Sequence, residues 1–306
     1  MKKIKQNILK TLSYFDIFNY PLTNEEVRRF LPHKCNQLVV NEILYQLIRE
    51  NIVYKLDNFY SLQNQPKLAE IRNAGNKHAI KLLKIARTAA KILSWFPFVE
   101  SVAVSGSLSK NFADEKADID FFIITSANRL WIARTCMHIF KKFTFLIRKQ
   151  NWFCMNYYID ETQMEIGEKN IFTAMEIVTL MPMHGINCFR KFIEANSWTK
   201  KYFAEQNIFL SGEKKTKKIF LKRLFEKLFR QRFADGLENW LMNLTDKRWK
   251  KKLHSGKLND HGIRMAMVSD PHFSKPDPQY FQSKIIVEYE FRVQQILSTK
   301  EVEIQV

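Results

Sequence analysis

The stretch from Glu100 to Thr125, ESVAVSGSLSKNFADEKADIDFFIIT, constrains this chain more than any other. An alternating apolar run, Val102-Ala103-Val104, breaks at Ser105-Gly106-Ser107. A second run, Ala117 to Ile124, is apolar enough for a central strand yet carries Asp118 and Asp120 at its start. Residues two apart on a strand point the same way, so both carboxylates are expected on one face, with Ile119 and Phe121 on the other. Neighbouring carboxylates on a buried strand repel each other and are costly to desolvate. A divalent cation relieves both costs, and beside phosphate that cation is Mg²⁺. Gly106, directly after the first strand, lets the backbone approach a ligand closely. Ser107 opens a short helix, read over Leu108 to Phe112, whose first N–H groups suit a phosphate. Lys110 adds a positive charge one turn on.

An apolar strand, Gly-Ser, a short spacer and Asp-x-Asp inside a second apolar strand together resemble the nucleotidyltransferase superfamily that includes kanamycin nucleotidyltransferase, poly(A) polymerases and CCA-adding enzymes. Gly106-Ser107 and Asp118-Ile119-Asp120 carry the likeness, which covers residues 95–180. Small bacterial members often read Gly-Ser-x-Ala-Arg-Gly. This chain has Gly106-Ser107-Leu108-Ser109-Lys110-Asn111, with Lys110 for the arginine and Asn111 for the glycine. The resemblance implies an α/β (α+β) domain with a mixed sheet and an Mg²⁺-dependent transfer of a nucleoside monophosphate from a nucleoside triphosphate to a hydroxyl acceptor that the sequence does not name. It assigns the β- and γ-phosphates to Gly106 and Ser107, charge compensation to Lys110, and Mg²⁺ to Asp118 and Asp120 as the catalytic pair. Active members add a third acidic residue on a neighbouring strand. Here the strand read over 151–160 carries Asn156 and Tyr158 on one face and Asp160 at its end, with Glu161 and Glu165 beyond. Asn156 takes the expected position, and an amide is a poor base; Asp160 is the alternative. A second reading therefore stands beside the enzyme: a non-catalytic nucleotide- or nucleic-acid-binding regulatory protein on a degenerate nucleotidyltransferase fold.

A chain of 306 residues is long enough for two or three domains, and 46% hydrophobic with 13% aromatic residues suits packed cores. The four cysteines, Cys35, Cys136, Cys154 and Cys188, are scattered and form no metal-type pair, which reads as reduced thiols in the cytoplasm. No signal-peptide core and no apolar run long enough for a transmembrane span is present. The histidines His254, His261 and His272 have no ligand spacing, and His138 reads as a packed or surface residue. The net charge of +18 is uneven: residues 200–257 hold 17 Lys and Arg against 6 Asp and Glu. Such a balance suits a polyanion, nucleic acid or acidic lipid, although a solvated basic face is the plainer reading.

Three regions follow. Residues 1–65 hold three apolar-periodic segments and the hairpin Ile52 to Leu62 with a turn at Asp57-Asn58, an arrangement that resembles a winged helix. Thr23-Asn24-Glu25-Glu26 has the form of a capping box. The helix read over Asn36 to Glu50 holds one base, Arg49, against Glu42 and Glu50, which is poor equipment for phosphates. Residues 66–199 hold the nucleotidyltransferase-like stretch, entered through a long helix over Leu68 to Trp95. Further helices are expected at Ser126 to Lys142, capped by Ser126 or Asn128, at Ile171 to Met181, and at Cys188 to Trp198, where Trp198 is a core residue or a base-stacking one. Met183-His184-Gly185 reads as a turn. Residues 200–306 are expected to form a basic helical region. Its apolar stripe runs from Ile219 through Phe220, Leu221, Leu224, Phe225, Leu228 and Phe229 to Phe233. An extended loop at His272 to Pro278 and a helix at Ile285 to Leu297 end the chain.

Overall fold

A computed structural model describes residues 1–146, 148–205, 220–229, 233–256, 267–276 and 281–303. The N-terminal segment runs α1 (Lys2–Asp16), β1 (Leu22–Thr23), α2 (Asn24–Arg29), α3 (Gln37–Arg49), β2 (Tyr54–Leu56) and β3 (Phe59–Ser61). Local chemistry sets these limits. Thr23 accepts from the Glu26 N–H while Glu26 accepts from the Thr23 N–H, so both ends of the capping box are made. Asn36 caps α3 through the Leu38 N–H. Asp57 takes the left-handed backbone that the tight β2–β3 turn requires. The small sheet has the order β1-β3-β2.

The larger sheet is built from β4 (Val99–Val104), β5 (Asp120–Thr125), β6 (Cys154–Asp160), β7 (Met181–His184), β8 (Met267–Ser269) and β9 (Phe273–Pro276), in the order β7-β4-β5-β6-β9-β8. It is mixed: β4 and β5 are antiparallel, while β5 and β6 are parallel. Alternation divides its faces. Val102, Val104, Phe121, Ile123 and Tyr158 pack with α4 (Lys67–Leu93) and α5 (Leu130–Leu146). Ala103, Phe122, Ile124 and Ile159 pack with α6 (Ile171–Thr179) and α7 (Ile186–Ala195). The chain continues through α8 (Phe220–Leu228), α9 (Phe233–His254) and α10 (Phe281–Glu303).

Several expectations are corrected by long-range partners. Met181–His184 is not a turn but edge strand β7, with Pro182 opposite Ala103; a proline is tolerated at an edge because no further strand needs its N–H. The loop expected after His272 is strand β9, paired with β6 through Ser274 and Tyr158. Residues 200–306 are therefore not purely helical: they complete the main sheet. Helix α5 starts at Leu130, so Ser126 and Asn128 lie ahead of the position directly before it. The carboxyl of Glu238 on α9 accepts from the N–H groups of Trp131 and Ile132 instead, and its burial pushes it up to about 7 against these bonds. On α8, Phe225 and Phe229 stack inward, but Phe220, Leu224 and Leu228 stay exposed. Lys222 is buried in their place, donating to the carbonyls of Ser94 (3.0 Å) and Val99 (2.7 Å). Ile219, His261 and the side chains of Leu221 and Phe233 lie outside the described residues. Trp198 is a core residue, packed on Tyr202 and donating to Asn196. Among the described residues, no helix is long and apolar enough to cross a membrane.

The boundary expected at residue 65 falls between β3 and α4, but the apolar packing does not stop there. Ile8, Leu12, Phe15 and Val27 share one cluster with Ala174, Met175 and Val178 of α6, Phe203, and Ile285 of α10. Arg72 of α4 joins the two regions from the other side. Its guanidinium is 2% exposed, donates to the Pro21 carbonyl (2.9 Å) and Glu26 (2.6 Å), and lies 3.6 Å over the Tyr20 ring. Replacing Arg72 by Met removes charge-assisted bonds and strands Glu26. We expect a loss of about 3 kcal/mol in urea unfolding; a loss below about 1 kcal/mol would show that Arg72 is not a fastener.

Candidate active site

The two halves of the Glu100–Thr125 stretch meet where β4 leaves the sheet and β5 enters it. The Ser105 N–H donates to the Asp120 carbonyl at 2.9 Å, closing the ladder. Gly106 then turns with φ of +68°, and a Cβ on it would stand 2.8 Å from Oδ2 of Asp120. Glycine is required on both counts: it takes the left-handed backbone without cost, and it leaves room for the carboxylate.

Beyond Gly106 the expected helix is only a single 3-10 turn, Leu108–Lys110, ended by Asn111 in the left-handed conformation. The Gly106 carbonyl accepts from the Ser109 hydroxyl (2.8 Å) and the Lys110 ammonium (3.1 Å). A trans peptide sends its C=O and N–H in opposite directions. The Ser107 N–H is therefore turned away from the 3-10 turn, and the Ser107 side chain is exposed.

Asp118 is exposed and lies just before β5, whereas Asp120 is half-buried at its first position. Ile119 between them is fully buried, as is Phe121, so the alternation expected of the Asp-x-Asp is present. Burial above all pushes the Asp120 carboxyl up to about 6; the hydrogen bond from Cys154 opposes it, the charges of Asp118 and then Glu176 add to it, and Lys141 opposes it least.

The neighbouring strand carries a bulge here. Phe121 is opposite Met155 but Phe122 is opposite Tyr157, leaving Asn156 as the extra residue. A bulge re-aims side chains. As a result Asn156 and Tyr157 both line a cavity with Asp120 and Phe122, while Tyr158, expected beside Asn156, packs into the opposite face. The Asn156 amide donates to Oδ1 of Asp120. Asp160, the other position considered for a third acid, is at the far end of β6, paired with Thr125 while Cys154 pairs with Asp120. At strand rise that separates it by about 17 Å. It is fully buried and occupied, accepting from the N–H groups of Asn128 and Thr162 (2.9 Å each) and pairing with His272 at 3.0 Å. Glu165 pairs with Lys169 at 2.6 Å.

Sequence reading missed Glu176. As a single acid in the middle of an apolar helix it carries no motif. In the fold it holds Lys110 at 2.8 Å and acts on Asp120. The N-terminal segment was also missed as part of the site: the Tyr20 hydroxyl donates to the Lys110 carbonyl. Two cavities meet at Gly106, Asp120, Phe172, Glu176 and Phe281. One, about 840 Å³, is walled by Tyr14, Phe18, Tyr20 and Arg72; the other, about 300 Å³, lies over Asn156, Tyr157 and Lys275.

The donor set tests the expected cation. Among the described residues no group of three His, Cys, Asp or Glu side chains is placed to hold a metal. Asp118 and Asp120 alone do not make a resident metal cage. They do fit Mg²⁺ that arrives with phosphate, since that ion keeps waters and takes one or two carboxylates plus substrate oxygens. The raised Asp120 carboxyl is a group that a cation would stabilise in its charged form. The chain matches no protein-family model, and no curated protein and no solved structure is detectably similar to it.

Proposed function

We propose that this chain is an Mg²⁺-dependent nucleotidyltransferase, moving a nucleoside monophosphate from a nucleoside triphosphate to a hydroxyl acceptor. The observation that carries the reading is that the Gly106 turn faces the Asp120 carboxylate so closely that a Cβ would stand 2.8 Å from it, because this joins a phosphate-type turn to a metal-type carboxylate in one place. The mixed order of β4, β5 and β6 supports it.

In this reading Gly106 and Ser107 bind the β- and γ-phosphates through backbone N–H groups and the serine hydroxyl. Lys110 is released in part from Glu176 to offset phosphate charge. Asp118 and Asp120 hold Mg²⁺, which when bound supplies charge stabilisation at the phosphoryl oxygens. The two cavities on either side of Asp120 leave room for donor and acceptor together. The acceptor hydroxyl attacks the α-phosphorus in line, its proton passes to solvent or a nearby base, and pyrophosphate leaves.

Asn156 favours a second reading. It stands beside Asp120 where a third carboxylate is expected, and an amide does not take a proton from a hydroxyl. The rival is a regulatory protein that binds nucleotide without turnover. Titration of Mg-nucleotides into wild type and Asp118→Asn/Asp120→Asn, with pyrophosphate release over a panel of hydroxyl acceptors, separates the cases. Binding lost in the variant together with turnover in the wild type supports the enzyme. Binding without turnover for every acceptor supports the rival, and equal binding by both proteins ends both readings.

Nucleotide affinity should also follow the ionisation of Asp120. With its carboxyl at about 6, affinity for MgATP is expected to fall about tenfold per pH unit below that value and to level off above it. Asp120→Asn should flatten the profile. A wild-type profile without an inflection near 6 would remove Asp120 from the binding step.

A further inference from the structure

A cavity of about 650 Å³ lies between α5 and α9. Among the described residues its wall carries Arg134, Lys142, Arg248, Lys251 and Lys252 and no Asp or Glu. The deepest of these cations is the informative one. Arg134 is 7% exposed, and its Nε has no hydrogen-bond partner. Its Nη2 meets only the Met267 sulfur at 3.2 Å, a weak acceptor. The rings of Trp131 and Tyr158 lie 5.3 and 5.8 Å from the guanidinium. Buried arginines are ordinarily matched by carboxylates, because an unmatched buried charge is costly. His138, on the same wall, also has a buried ring nitrogen, Nε2, without a partner. Burial first, and then Arg134, Lys141, Lys142 and Lys252, push this imidazole down to about 3. All four charges acting on it are positive.

We propose that this cavity is a second anion site, independent of Asp118 and Asp120, which binds a small, multiply phosphorylated molecule through Arg134 and the rim cations Lys142, Arg248, Lys251 and Lys252. The volume lies within the range of small-molecule pockets. Arg134 is reached only by a group that enters the cavity, which favours a compact phosphate over the backbone of a long polymer. Trp249, half-buried on the wall, adds an apolar surface for the body of such a ligand.

The test uses inorganic tripolyphosphate as the probe, titrated calorimetrically into the full chain carrying Asp118→Asn/Asp120→Asn, in the absence of Mg²⁺. Saturable one-to-one binding is expected. Affinity should fall about tenfold or more in Arg134→Met and in Arg248→Gln/Lys252→Gln, each loss corresponding to charge-assisted hydrogen bonds. The rim pair keeps the test decisive if the buried substitution does not fold. Absence of saturable binding, or equal affinity in the rim variant, overturns the proposal. So does tight binding of a short single-stranded RNA that is lost in the rim variant but untouched by Arg134→Met in folded protein, because the groove would then be an open polyanion track.

Discussion

On the proposed function, Asp120→Asn is expected to lower nucleotidyl transfer by at least about a hundredfold, the scale on which loss of one transition-state-stabilising group is felt, while leaving the protein as stable as the wild type or more so at neutral pH. The two effects have one cause. The Asp120 carboxyl is raised from 3.8 to about 6 mainly by burial, with Asp118 and Glu176 adding repulsion. Between those values the folded chain holds more protons than the unfolded one, so this residue's contribution to stability is fully present below 3.8 and is lost as pH rises through about 6. An amide carries no such cost. Melting temperatures of the two proteins should therefore separate in favour of Asp120→Asn above about pH 6 and converge below about pH 4. A variant that loses both activity and stability at neutral pH would mark Asp120 as a structural residue rather than one held in tension for binding.

Gly185→Ala is expected to have the largest effect on stability. Gly185 links β7 to α7 with φ of +72°, and an added Cβ would stand 1.9 Å from the Glu100 carbonyl oxygen and 2.8 Å from Ser101 Cα. Neither neighbour is a movable side-chain tip. Relief requires β7 to separate from β4, at the point where the Ser101 hydroxyl donates to the His184 carbonyl at 2.8 Å. Backbone strain and lost pairing together should cost at least about 3 kcal/mol in urea unfolding. Gly236→Ala in α9 is the control, because nothing lies within 4 Å of its added Cβ; that change should be neutral or stabilising by about 0.5–1 kcal/mol. Similar midpoints for the two variants would refute the clash.

The parts of the fold legible in the sequence are those governed by near neighbours. Thr23 with Glu26, the Asp57 turn, the long helix ahead of β4, and the apolar strand behind Asp120 each follow from residues a few positions apart. What escaped depends on distant partners. Met181–His184 becomes a strand only because β4 offers it an edge, and Phe273–Pro276 only because β6 does. The cap of α5 comes from Glu238, over a hundred positions away in the chain. For the candidate site, spacing singles out Gly106, Ser107, Lys110, Asp118 and Asp120, and the fold brings Gly106 close to Asp120. The bulge that brings Asn156 to Asp120 has no local signature, because period-two reading assumes an uninterrupted pleat. Glu176 and Tyr20 enter the site through packing of α6 and of the N-terminal segment, which no motif near Asp120 announces.

The apolar cluster common to α1, α2, α6 and α10 bears on how the chain can be divided. A fragment beginning after the Ser61–Pro66 connection would present Ala174, Met175, Val178 and Phe203 to water. It would also leave the carbonyl of Lys110 without the Tyr20 hydroxyl and Arg72 without its Pro21 and Glu26 acceptors. Inactivity of such a truncation would measure a collapsed wall, not the absence of a recognition module. The role of the first sixty residues is better sought with point changes on the outer face of α3, where Leu38, Glu42 and Tyr45 are exposed.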